Sequence, residues 1–164
     1  MAAGNTYVAI ATQTLGSAAA SVTFSSISGA YTDLVLVING GNSIGTNLSL
    51  QFNSDTGSNY SVTRLQGNGS TASSTRYSSQ VEMIGPQVST SNDNVIIANI
   101  MNYSNATTYK SVLMRGNDAS GVVNAYAGLW RSTAAITSVK IITYTDSYTI
   151  NSGSTLTLYG IAAA

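Results

Sequence analysis

Phe52-Asn53-Ser54-Asp55-Thr56-Gly57-Ser58-Asn59-Tyr60-Ser61 is the stretch on which the reading of this chain turns. It lies between two apolar segments, Leu48-Leu50-Phe52 before it and Tyr60-Val62-Arg64-Leu65 after it. Asn53, Asp55 and Asn59 are short polar residues that favour turns, because their side chains fold back onto nearby backbone N–H groups. Gly57 is the residue expected to take φ > 0 and let the chain reverse. Loop length and composition together predict a wide hairpin tying two strands of an all-β domain.

Working outward, the same signals recur. Leu48, Leu50 and Phe52 alternate with Ser49 and Gln51, which predicts a half-buried strand with one solvated face. Upstream, Leu34-Val35-Leu36-Val37-Ile38 is apolar at every position, the pattern of a central strand covered on both sides. Thr6 to Thr12 and Ser21-Val22-Thr23-Phe24 read as earlier strands. Downstream, Gly67 to Thr75 reads as a flexible polar excursion. A strand from Thr75 to Ile84 is expected to stop at Gly85-Pro86, the single proline, which disfavours a central strand there. Val95–Tyr103, Lys110–Arg115, Val122–Arg131, Ile136–Tyr144, Tyr148–Ile150 and Leu156–Ile161 continue the pattern. Ser104 to Thr108 and Gly116 to Gly121 are the expected hairpin loops between them. About ten short strands with turn signals between them predict a single-domain antiparallel β-sandwich or barrel. No repeat of fixed period points to a propeller or solenoid.

Composition narrows the function classes. The 164 residues suffice for one substantial core, and 43% hydrophobic content is too high for disorder. Only 7% of residues are charged, against roughly 25% in an ordinary soluble domain. Six basic and six acidic residues cancel, so no basic stripe for nucleic acid and no polybasic cluster for a membrane surface is expected. Solubility must rest on Ser, Thr and Asn, and weak self-repulsion favours association. The chain has no cysteine and no histidine, which excludes disulfides, thiolate chemistry and a Ser-His-Asp triad. Met1-Ala2-Ala3-Gly4-Asn5 carries no signal-peptide pattern, so synthesis in a bacterial cytoplasm as a soluble chain is expected.

The Phe52–Ser61 motif resembles one found in virion structural proteins of tailed bacteriophages, including cyanophages. Phe24 with Tyr31-Thr32-Asp33-Leu34-Val35-Leu36 is similar to that family's early strand pair. Ile100-Met101-Asn102-Tyr103-Ser104-Asn105 with Lys110 resembles its middle hairpin. Gly128-Leu129-Trp130, Ala135-Ile136-Thr137-Ser138-Val139 and Ser154–Ile161 resemble its last third. The resemblance implies a jelly-roll sandwich carried on the virion, either decorating the capsid or forming part of a tail or fibre. It carries over no catalytic residue and no cofactor. As a capsid decoration (cement) protein the chain would bind the major capsid protein. It would be expected as a homotrimer, since icosahedral lattices offer three-fold positions. As a fibre or tail-tip module it would bind a host glycan.

Candidate chemistry is sparse beside this. Asp33, Asp55, Glu82, Asp93, Asp118 and Asp146 are the carboxylates, and Asp55, Asp93 and Asp118 sit in turn settings that Asp favours for backbone reasons. Asp55 to Asn59 and Asn92-Asp93-Asn94 offer oxygen ligands but lack the acidic spacing of a calcium loop. Lys110 and Lys140 are conceivable bases with no serine placed beside them. Gly67 and Gly69 lack the Lys-Ser/Thr of a phosphate loop. Trp130, on an alternating strand with Tyr126 and Gly128, is expected in a core or interface, with stacking on a glycan as the alternative. The sequons at Asn47, Asn59, Asn68, Asn102 and Asn105 follow from the abundance of Asn, Ser and Thr. No enzyme is expected.

Overall fold

The structure of the protein, a computed structural model, describes residues 6–117 and 121–162. Among the described residues twelve strands run in order: β1 (Tyr7–Thr14), β2 (Ser21–Phe24), β3 (Asp33–Asn39), β4 (Asn47–Phe52), β5 (Tyr60–Gly67), β6 (Ala72–Gln80), β7 (Met83–Gln87), β8 (Val95–Ile100), β9 (Lys110–Asn117), β10 (Val123–Trp130), β11 (Val139–Thr143) and β12 (Thr155–Ile161). One short 3₁₀ turn, Tyr144–Asp146, follows β11. An eight-stranded sheet has the order β1-β12-β3-β8-β9-β10-β5-β6, and a four-stranded sheet the order β2-β11-β4-β7. All pairings within them are antiparallel.

From β2 to β5 the chain changes sheet at every step, and it does so again before β7, β8, β11 and β12. That alternation is the jelly-roll route, with the β8-β9-β10 meander in the large sheet and β1 and β12 added at one edge. The core lies between the sheets. Leu34, Leu36 and Ile38 of β3, Ile96, Ala98 and Ile100 of β8, and Leu156 and Leu158 of β12 face it from the large sheet. Val22, Phe24, Leu48, Leu50, Phe52, Val139 and Ile141 face it from the small one. Period-two alternation explains the whole set, since alternate side chains share one face of a strand.

Five expectations are corrected. The loop after Phe52 is not a hairpin: β4 pairs with β11 and β7, whereas β5 pairs with β10 and β6. It is an arch from one sheet to the other. Ser49 and Gln51 are buried rather than solvated, because the segments around Val81–Glu82 and Thr145 cross over the small sheet. Gln51 Nε2 donates to Val81 O (3.2 Å), and Thr145 N donates to Glu82 Oε1 (3.0 Å). The polar excursion is instead a hairpin, its turn held by Asn68 Oδ1 accepting from Ser70 N (3.1 Å) and Thr71 N (2.7 Å), with Gly69 at φ 84°. The strand expected over Thr75–Ile84 is split, and Pro86 lies inside β7, an edge strand where a missing N–H is tolerated. Tyr148–Ile150 forms isolated bridges from Ile150 to Ala19 and Asn42 in place of a strand. Asp118, most of the loop before Gly121, and Met1 to Asn5 lie outside the described residues.

Candidate functional site

Asp55 is the centre of the arch. Trp130 Nε1 donates to its Oδ2 (2.7 Å), Asn59 Nδ2 to both oxygens (3.2 and 2.9 Å), and Gly57 N to Oδ1 (2.8 Å). Partial burial pushes the carboxyl up, but the hydrogen bonds from Trp130, Asn59 and Gly57 outweigh it and hold the group below its ordinary value. Tyr60 OH donates to Asp55 O (3.1 Å) and accepts from Phe52 N (3.0 Å). The rings of Tyr60 and Trp130 stack at 6.3 Å, and Phe52 tilts against Trp130 at 5.5 Å. These donors and acceptors bond to one another within the arch and to Trp130 of β10, so the cluster is a clamp holding the two sheets together.

Chain reversal in the arch falls on different residues from the one expected. Gly57 is not at positive φ; Asn53 (φ 52°) and Ser54 (φ 57°) are, and Asp55 N bonds back to Phe52 O at 2.9 Å. Two consecutive left-handed residues closed by that bond make a type I′ turn, which Asn tolerates better than most side chains. Asn53 also reaches the next crossing segment, its Oδ1 accepting from Thr137 N (2.8 Å) and Ser138 N (3.1 Å) and its Nδ2 donating to Ala135 O (2.7 Å). Gly57 serves instead through its N–H and small size, since a Cβ there would stand 2.9 Å from Asn59 Nδ2. Arg131 is the clamp residue that sequence reasoning missed. Its guanidinium donates to Ser58 O (2.7 Å) and Ser61 Oγ (3.0 Å), and only the β10–β5 pairing brings it there.

The remaining candidates separate in space. Trp130 is only 2% exposed, with its indole N–H occupied, so it presents no face to a sugar. Lys110 is fully buried, its Nζ donating to Thr108 O (2.7 Å) and Thr133 O (3.1 Å), and burial lowers its pKa. Glu82 is buried on the far side of the small sheet, and burial raises its carboxyl. Asp93 accepts from Ser89 and Ser91 in an exposed turn. Lys140 and Asp146 form an ion pair at 3.1 Å. Among the described residues no three of His, Cys, Asp or Glu gather as metal ligands.

What the fold does present outward is the outer face of the eight-stranded sheet. Val123 (68% exposed), Leu65 (58%), Leu113 and Leu129 are exposed hydrophobics. The register makes them neighbours: Ala125 lies between Leu65 and Arg115, Ala127 between Thr63 and Leu113, and Leu129 between Ser61 and Ser111. Ile97 and Val37 continue the row beyond Arg115. Three strand spacings by six residues along β10 cover about 14 by 20 Å, an apolar area interrupted by Ser61, Thr63, Ser111 and Arg115. At its corner an open depression of about 740 Å³ is lined by Leu65, Ala72, Ser74, Val123 and Ala125 among others. Such a surface can bury apolar area against a partner.

No protein-family model matches this sequence, and no curated protein matches it. Among solved structures, the aerolysin-like protein of Bombina maxima aligns over 84% of this chain and 93% of its own, at 10% identity and a TM-score of 0.13. A likeness that slight carries no argument about fold or function.

Proposed function

We propose that this chain is a phage capsid decoration protein that stabilises the head by bridging neighbouring subunits of the major capsid protein. The observation that carries the reading is the apolar outer face of the eight-stranded sheet, centred on Leu65, Leu113, Val123 and Leu129. The resemblance of the arch motif and its companions to tailed-phage virion proteins supplies the setting. Burial of this face against a capsid seam supplies affinity without charge, which suits a chain with six basic and six acidic residues. Bound copies favour the assembled lattice by mass action, and grouping in threes at three-fold positions multiplies weak contacts.

A second reading, a tail-tip module that binds host glycan, draws on a different place. Tyr7 is 59% exposed and lines a shallow pocket with Asp33, Val35, Asn99 and Met101, which pairs an aromatic wall with polar groups. One experiment separates the two. The protein is stripped from virions or its gene is deleted, and DNA-release temperature and host adsorption are measured. Decoration gives early DNA release with adsorption nearly intact. Lost adsorption with an unchanged release temperature assigns the chain to the tail.

A further inference from the structure

The two sheets leave four edge strands, β1, β6, β2 and β7, and three of them are blunted. β2 is only four residues long. β7 carries Pro86. β1 is broken in the middle by a register shift between Ala9 and Ala11. These are the ordinary devices that stop an edge from recruiting another strand. β6 has none of them over most of its length. It pairs regularly with β5 from Ala72 to Tyr77, and its irregularity, with Ser79 at φ 55°, comes only after that. The six residues Ala72-Ser73-Ser74-Thr75-Arg76-Tyr77 include no proline, lysine or carboxylate. Their other flank is a row of backbone N–H and C=O groups, about 20 Å long, that no described strand meets.

We propose that this edge pairs antiparallel with β6 of a second copy of the chain, across a two-fold axis at Thr75. The strand is self-complementary in that register. Thr75 faces Thr75, Ser73 faces Tyr77, and Arg76 faces Ser74, so the single charge on the segment has no like charge directly opposite it. A seam centred on Arg76 would instead set two guanidinium groups opposite each other. Hydroxyl pairing across strands is already used at the opposite end of the same sheet, where Thr12 and Thr14 meet Thr157 and Thr155 at 3.1 Å. Ala72, Ser74 and Arg76 lie on the outer face, opposite Gly67, Leu65 and Thr63 of β5. The seam therefore places the Leu65–Val123 patches of two copies side by side as one continuous surface. The inference goes beyond the capsid reading and stands without it. An icosahedral lattice contains both two-fold and three-fold positions, so the seam and a three-fold grouping are compatible there.

The test uses the full chain in solution, by sedimentation over micromolar concentrations, with circular dichroism to check folding. Ser74 is exposed and pairs with Leu65, so its replacement meets no charged neighbour across β5. The parent is expected as even-numbered species. Ser74→Lys sets lysine opposite Arg76 twice and weakens association by roughly tenfold. Ser74→Glu tightens it, and Ser74→Lys with Arg76→Glu restores it. A parent that is only monomer, or only an odd-numbered species, overturns the seam. So does a shift in the same direction for Ser74→Lys and Ser74→Glu, or no shift for either.

Discussion

Replacing Asp55 by alanine tests whether the arch is a clamp. The change removes the acceptor for Trp130 Nε1 at 2.7 Å, for Asn59 Nδ2 and for Gly57 N. Trp130 is 2% exposed, so its indole N–H is left buried without a partner, at ~1–3 kcal/mol. The Asn59 amide and Gly57 N–H lie on the exposed side of the loop and are taken up by water, adding under ~1 kcal/mol each. The total of about 3 kcal/mol corresponds in a domain of this size to a fall in Tm of about 6–12 °C. Urea unfolding followed by tryptophan fluorescence reads the site directly, because Trp130 is the only tryptophan. Trp130→Phe and the double variant, followed by circular dichroism, complete a cycle with an expected coupling of ~1–3 kcal/mol. The pH dependence has a definite sign. The folded pKa is held below the ordinary value of 3.8, so the contribution is present above that pH and lost as pH falls through the folded value. Asp55→Ala within ~0.5 kcal/mol of the parent, or no coupling to Trp130, would refute the clamp.

Three further outcomes follow from other residues. Asn53→Ala loses four hydrogen bonds to the 135–138 segment and puts alanine at φ 52°, so it should cost about 2–4 kcal/mol, and Asn53→Gly should recover only the backbone part; equal melting of the two variants contradicts this. Glu82 is raised by burial, so the folded state holds its proton more tightly and stability from this group falls as pH rises above the unfolded value of 4.5. Glu82→Gln should therefore be more stable than the parent at neutral pH and match it in acid, as read by denaturation at several pH values. Gly160→Ala drives a Cβ to within 2.3–2.5 Å of the Tyr31 ring and should destabilise by ~1–3 kcal/mol. Tyr31→Ala in the same chain should relieve much of that loss in a thermal melt.

Period-two alternation made the strands legible in the sequence, because it depends only on which residues avoid water on one side of an extended chain. It identified the inward row of β4, Leu48, Leu50 and Phe52, and the alternation that sets Trp130 in the core with Tyr126. Turn chemistry was equally local, and Asn53, Asp55 and Asn59 do shape the arch as their short polar side chains require. What the sequence could not say was which strands pair. A hairpin and an arch both need polar turn residues between apolar strands, and hydrogen bonds to β11 and β10, far along the chain, decide between them. The same distant contacts moved the left-handed residues from Gly57 to Asn53 and Ser54, where Asn53 could also tie down the 135–138 segment. They buried Ser49 and Gln51 by laying other segments over them, and brought Arg131 to Ser58. The open edge of β6 is likewise a property of sheet order, since alternation tells which face a side chain takes but not whether a neighbouring strand exists.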